Sequence, residues 1–320
     1  YGRFKLGDDN EEPEFSFISW LGMLFSAGLG VGIVFWGVAE PLTHYLHSPF
    51  PGKVPDQSPE SARLAMGYTF FHWGISQWSI FAMAGLIVAY FQFRKKRDGL
   101  ISTAMEPVFG EAYKRPIRNV IDILAIIATV MGIATSIGLG IMQISGGLNH
   151  VFHVPNNNIT KISITLLMMI IFIGSGITGL GRGVKWLSNL NIILGALLLI
   201  FMLIFGDLKF IFESYTLAIG DYIRHFVEYS LRIDPYTNNN AWIQQWTVFY
   251  WAWVISWSPF IGGFVARVSR GRTIREFILC VLVVPPLISF VWICGFGGTA
   301  IKIAMGGDKI ASLVDKDYTV

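Results

Sequence analysis

"WTVFYWAWVISWSPF", residues 246–260, sets four tryptophans, one tyrosine and two phenylalanines among fifteen positions and closes on Ser-Pro. Trp246, Tyr250, Trp253 and Trp257 follow spacings of four, three and four, so a helix places them on one face. Pro259 lacks the amide hydrogen that the helical ladder needs and predicts an interruption there. Tryptophan in a membrane protein ordinarily marks the headgroup belt, but a belt occupies one or two turns and this stripe runs for three. An aromatic face beside an interrupted helix suits a cation held by ring quadrupoles, each contact contributing about 0.5–2 kcal/mol. A quaternary ammonium is the natural guest, because its methyl groups donate no hydrogen bonds and its charge is diffuse.

The rest of the chain agrees with a bilayer setting. Of 320 residues, 53% are hydrophobic and 14% charged, and the mean hydropathy is +0.54; soluble domains of ordinary composition do not reach these values. Apolar stretches long enough to cross a membrane, which takes roughly 20 residues, are read at 16–43, 64–93, 119–149, 159–181, 186–206, 244–267 and 275–303. The stretch 208–232 carries Lys209, Glu213, Asp221, Arg224, Glu228 and Arg232 at helical spacing and reads as an amphipathic helix at the interface. Basic residues cluster in alternate connections: Arg94–Arg97 with Lys114, Arg115 and Arg118, then Arg182 and Lys185, then Arg267, Arg270, Arg272 and Arg275. These connections are therefore cytoplasmic. The net charge of +3 follows from this bias, and nucleic acid is not an expected partner. Cys280 and Cys294 lie in the last apolar segment and behave as small hydrophobes. The chain opens on Tyr1 with "KLGDDNEEPEF" at 5–15 and no signal-peptide pattern, which reads as a piece of a longer polypeptide.

The first span alternates Gly28, Gly30 and Gly32 at mid-membrane. Each glycine costs about 1 kcal/mol relative to alanine in a helix interior. Three in five positions predict an opened helix whose free backbone groups a buried ligand or ion can satisfy. Close packing through small residues fits less well, because positions two apart do not share a face. No strand-turn-helix context supports a dinucleotide site. Trp73, Trp78 and Phe81 form a second aromatic group; on a helical projection Trp73 and Phe81 are about 80° apart and Trp78 about 60° further round. Glu40, followed by Pro41, reads as a helix end near the interface. The six histidines, His44, His47, His72, His150, His153 and His225, show no ligand spacing, so a membrane enzyme is not expected. A channel would show a polar pore-lining stripe or a filter-like loop.

"GMLFSAGLGVGIVFWGVAEPLTHY" at 22–45, "SGITGLGRGVKWLSNLN" at 175–191 and "WTVFYWAWVISWSPFIGGFVARVSRGRTIREF" at 246–277 resemble the betaine/choline/carnitine transporter family. The resemblance covers nearly the whole chain and is strongest to its sodium-coupled glycine betaine carriers. It implies an all-α integral membrane protein with the LeuT-like inverted-repeat fold, built here of about seven transmembrane helices and an amphipathic linking helix. On this view 1–15 is a cytoplasmic lead-in, 16–206 the first five-helix repeat, 207–243 the external linker and 244–320 the start of an incomplete second repeat. The two irregular helices would be the equivalent first members of the repeats, with substrate held between them at the midplane.

The same resemblance implies the site residues. Trp73 and Trp78 match the family's aromatic box, with Phe81 where betaine carriers commonly have tyrosine. Those carriers read Trp-Ala-Trp-Trp-Ile-Ser-Trp where this chain has Trp251, Ala252, Trp253, Val254, Ile255, Ser256 and Trp257; Val254 replaces a tryptophan of the box, while Trp253 and Trp257 remain. Backbone at Gly28, Gly30 and Gly32 would approach the substrate carboxylate. One sodium site would use Ser26 and Leu29; for another, Thr129 and Phe260 match, but Ile133 stands at the second threonine position. The expectation is a carrier in the bacterial cytoplasmic membrane, a homotrimer, without cofactor and with sodium as coupling ion. It would import glycine betaine or a close trimethylammonium relative by alternating access. Proton-coupled choline uptake and carnitine exchange are the alternatives, and a non-transporting osmosensor a further one.

Overall fold

The computed structural model describes residues 1–50, 52–110, 115–178, 183, 185–233, 235–236 and 240–307, with side-chain surroundings for all of these but 28, 29, 31, 115 and 185. Its regular elements are helices: α1 (Phe17–Leu46), α2 (Pro59–Trp73), α3 (Ile75–Ala89), α4 (Ile101–Phe109), α5 (Arg115–Phe152), α6 (Asn158–Ile177), α7 (Lys185–Phe205), α8 (Leu208–Ser230), the single turn α9 (Ala241–Ile243), α10 (Phe249–Val268), α11 (Ile274–Ile293) and α12 (Thr299–Met305). Among the described residues six helical stretches are long and apolar enough to cross a membrane, and the bent α1 makes a seventh. The chain is an all-α integral membrane protein.

Helix starts follow local chemistry. The side chains of Ser16, Ser58, Asn157, Asp207 and Thr273 accept the backbone N–H three residues on, each satisfying a donor that the helix leaves unpaired. α1 is broken where the glycines predicted it. Gly30 has φ 14° and ψ −143°, and the halves Phe17–Ala27 and Gly32–Leu46 diverge by 58°. A second break separates α2 from α3 at Gly74, where the Tyr222 hydroxyl of α8 accepts the freed Ile75 N–H at 3.0 Å. A side chain at Gly74 would lie 2.7 Å from that hydroxyl, so glycine is required there.

Pro259 does not interrupt α10, contrary to the sequence expectation; it lies inside a continuous helix. The carbonyl it orphans belongs to Ile255, and the Ser258 hydroxyl donates to that carbonyl at 2.8 Å. In hydrocarbon such a substitute donor keeps a proline-bearing helix intact. The irregularity of this span sits earlier, in a π-helical turn at Gln244–Val248.

α1, α2, α3, α10 and α11 form the core, with Trp20, Trp36, Trp73, Trp78, Tyr68, Tyr250, Phe70, Phe71, Phe81 and Phe277 essentially inaccessible. α10 runs alongside the consecutive helices α2 and α3 in the same direction, touching the end of α2 at Trp73–Trp253 and α3 at Gly85–Gly262. α5, α6 and α7 leave most of their apolar surface uncovered, as helices facing lipid do. α8 does more than lie at an interface: Ile211, Ala218, Asp221, Tyr222 and Tyr229 are buried, and Asp221 pairs with Arg63 of α2 at 2.5 Å.

The lead-in segment 1–15 straps two basic connections to one end of the bundle. Leu6 N–H bonds the Arg272 carbonyl at 2.8 Å, and Gly271 N–H bonds the Leu6 carbonyl at 2.9 Å. Asp8, Asp9, Glu11 and Glu14 pair with Lys96, Arg94, Arg270 and Arg267 respectively. The Lys96 ammonium holds the Asp8 carboxyl below its ordinary pKa. The opposite end carries the loop after α1, where Arg232, following α8, donates to the Pro49 carbonyl at 2.8 Å.

Candidate functional site

The break in α1 faces the aromatic stripe of α10. A Cβ at Gly32 would sit 2.9 Å from Cη2 of Trp253 and 3.3 Å from Cη2 of Trp73, so the absence of a side chain lets two indoles close over the helix just past the kink. Trp73 and Trp253 meet edge to face with centroids 6.4 Å apart. Trp253 stacks on Trp257 at 6.4 Å and 18°, and Trp257 on Phe260 at 6.4 Å and 26°. The Trp253 indole N–H is fixed to the Ser136 hydroxyl of α5 at 3.2 Å. Trp246 and Tyr250 continue the stripe, both packing on Trp36 of α1.

Trp78 and Phe81 form a separate edge-to-face pair at 5.7 Å. The parallel register of α3 and α10 sets this pair between the levels of Trp253 and Gly262. Val254, on the same stretch of α10, is 2% exposed, so this position faces protein rather than lipid.

Several buried polar atoms on α1, α3 and α10 have no hydrogen-bond partner. The Ser26 hydroxyl and the indole N–H groups of Trp78 and Trp257 are buried without a hydrogen-bond partner. Buried polar groups are ordinarily paired, so each of these atoms is available to a ligand or ion. Of the remaining sequence candidates, Gly30 forms the break, while Gly28 and Leu29 lie outside the residues whose surroundings are described. Thr129 is half-buried and Phe260 is 49% exposed. Each is one turn from the place where Gly132 of α5 abuts Trp257 and Ser256 of α10.

Glu40 corrects the sequence reading. It does not end α1, which continues to Leu46, and it is 0% exposed. One carboxylate oxygen lies 2.6 Å from Nδ1 of His72 and 3.5 Å from Nε2 of His44. The other accepts from the Trp73 indole at 2.9 Å and from the Tyr250 hydroxyl at 2.5 Å. His72 Nε2 reaches the Thr247 hydroxyl at 2.9 Å, and its ring stacks on Tyr250 at 4.7 Å and 13°. The histidines also depart from expectation: His44 and His72 converge with Glu40 although no sequence spacing joins all three. The legible part was Glu40 and His44, four apart on one helical face. His72, Thr247 and Tyr250 arrive from 32 to 210 residues away.

A polytopic helical bundle with a glycine break seated against stacked tryptophans is, as a class, a membrane protein built to enclose a small ligand between irregular helices. The family model described as "BCCT, betaine/carnitine/choline family transporter" matches residues 1–320, and the chain belongs to that family. It is 53% identical, over all of its own length and 63% of the relative's, to the "Ectoine/hydroxyectoine transporter" of Virgibacillus pantothenticus. It is 48% identical to the "Glycine betaine transporter OpuD" of Bacillus subtilis (strain 168), over 96% of this chain and 60% of the relative. It is 39% identical to the "High-affinity choline transport protein" of Escherichia coli (strain K12), over 97% of this chain and 46% of the relative. The chain thus spans less than two thirds of these curated relatives.

Proposed function

We propose that this chain belongs to a secondary carrier importing a small zwitterionic osmolyte, glycine betaine or a close trimethylammonium relative, by alternating access. The observation that carries this reading is the contact of Gly32 with Trp73 and Trp253. It joins a backbone opened for a carboxylate to ring faces suited to a cationic head. The unpartnered indoles of Trp78 and Trp257 and the Gly28–Gly32 backbone supply donors for the carboxylate. Sodium is the proposed coupling ion. The orphaned Ser26 hydroxyl, with Leu29 beside it in sequence, supports one site, and Thr129 with Phe260 a second whose other threonine is replaced by Ile133. A homotrimer in the bacterial cytoplasmic membrane completes the proposal.

A second reading is favoured by a specific observation. Val254 and Phe81 remove one indole and one phenol hydroxyl from the box that betaine carriers use, and the most extensive identity reported above is to an ectoine transporter. Ectoine is a cyclic amidinium carboxylate, flatter than a trimethylammonium head and in less need of a ring on every side. Uptake of labelled glycine betaine into proteoliposomes holding the full-length protein, competed by unlabelled ectoine and choline, separates the readings. Stronger competition by betaine itself than by ectoine supports the first; the reverse order assigns ectoine. Uptake that does not saturate contradicts both.

A further inference from the structure

We infer that Glu40, His44 and His72 form an intramembrane binding site for a divalent transition-metal cation, for which Zn2+ is the fitting probe. All three side chains are 0% exposed, and one ligand atom from each lies within 4.8 Å of the other two. Two imidazoles and one carboxylate are a donor set that suits zinc and its neighbours better than magnesium or calcium.

The hydrogen bonds decide between a proton and a metal. Oε1 of Glu40 and Nδ1 of His72 face each other at 2.6 Å, so a proton or another cation lies between them. A proton serves that pair and leaves His44 with both ring nitrogens buried and unpartnered. His44 nonetheless aims Nε2 at the same carboxylate oxygen, 3.5 Å away. A single cation beside Oε1 draws on all three groups and gives His44 Nε2 a partner. Tetrahedral zinc holds its ligand atoms about 3.3 Å apart, a spacing reached by lengthening the 2.6 Å Glu40–His72 contact and drawing together ligand atoms that now lie within 4.8 Å of one another.

The groups around Glu40 and His72 match what a metal centre requires, and His44 is held by ring packing. Ligating histidines and carboxylates are ordinarily held by hydrogen bonds on the side away from the metal. The Thr247 hydroxyl lies at the far nitrogen of His72, and Trp73 and Tyr250 donate to the far oxygen of Glu40. The His44 ring packs on Trp246 at 4.4 Å and Trp242 at 5.1 Å, which fixes its plane. A cation here fastens α1 to α2 and, through Tyr250, to α10.

The site is defined without reference to transport, and its readout is metal content rather than uptake. Full-length protein, freed of its affinity tag and stripped with chelator, is dialysed against Zn2+ and analysed for bound metal. Absorption of the Co2+ form reports nitrogen ligation. One equivalent per chain is expected, with at least a tenfold loss of affinity in His44→Phe, whose ring keeps the packing on Trp246. Tyr250→Phe should weaken binding by roughly 10–100-fold. A variant carrying asparagine at His47, His150, His153 and His225 should keep the equivalent. The inference is overturned if the wild-type protein holds no stoichiometric zinc, if the equivalent survives His44→Phe, or if it disappears in the four-asparagine variant. Should His44→Phe fail to fold, a Co2+ spectrum of the wild-type protein lacking nitrogen-ligand bands overturns it equally.

Discussion

At the scale of single residues, position within the bundle separates stacked, buried tryptophans from exposed ones. Trp257 stacks between Trp253 and Phe260 with its indole N–H unpartnered, whereas Trp186 is 64% exposed near the start of α7. Trp257→Leu keeps apolar bulk but removes the ring quadrupole, and each cation contact of this kind contributes about 0.5–2 kcal/mol. Uptake by that variant should fall several-fold or more, while Trp186→Leu stays near wild type; equal losses would sink the cation assignment. Glu40 invites a stability measurement. Glu40→Ala strands the donors of Trp73 and Tyr250 and the partner of His72, and breaking a buried network of this kind costs about 3–5 kcal/mol. Thermal unfolding in detergent should show a large fall for Glu40→Ala, against a change within about 0.5 kcal/mol for exposed Glu228→Ala. The aromatic residues were legible because ring size and spacing survive without a fold. The Glu40 cluster was not, since its partners come from α2, α10 and the turn before it, and a carboxylate next to proline mimics a helix end.

At the scale of elements, close approach rather than hydrophobicity sets how α3 meets α10. A Cβ at Gly262 would lie 2.7 Å from Ala84 Cβ and 3.0 Å from the Gly85 nitrogen, whereas one at Gly263 would meet nothing within 4 Å. Gly262→Ala must therefore push two backbones apart, a change that costs about 1–3 kcal/mol. Gly263→Ala should be neutral or gain up to about 1 kcal/mol from helix propensity. Paired melting curves check the contrast, and equal shifts would mean that α3 and α10 are packed otherwise. The spans themselves were read within a few residues, because a bilayer demands long apolar runs whatever their neighbours. The interruption expected at Pro259 was misplaced for a local reason: Ser258 supplies the donor that proline lacks. The break at Gly74 was missed because its stabilising hydroxyl comes from Tyr222 on α8, 147 residues beyond the Ile75 N–H that it accepts.

At the scale of the whole molecule, the core helices carry the breaks. The α1 kink at Gly30, the α2–α3 break at Gly74 and the π-helical turn before α10 all lie on helices that meet in the core, while the regular α5, α6 and α7 lie outside them. A strap of paired acidic and basic groups holds one end, and the loop after α1 with the end of α8 holds the other. Broken helices between ends that are separately tied suit the proposed exposure of one site to each side in turn. The measurement that tests this most directly is uptake of labelled glycine betaine into proteoliposomes holding the full-length protein, with and without an inward sodium gradient. Saturable uptake that rises with the gradient is the predicted result. Uptake indifferent to sodium would contradict the coupling, and a linear, unsaturable flux of betaine and of ectoine alike would contradict the carrier itself.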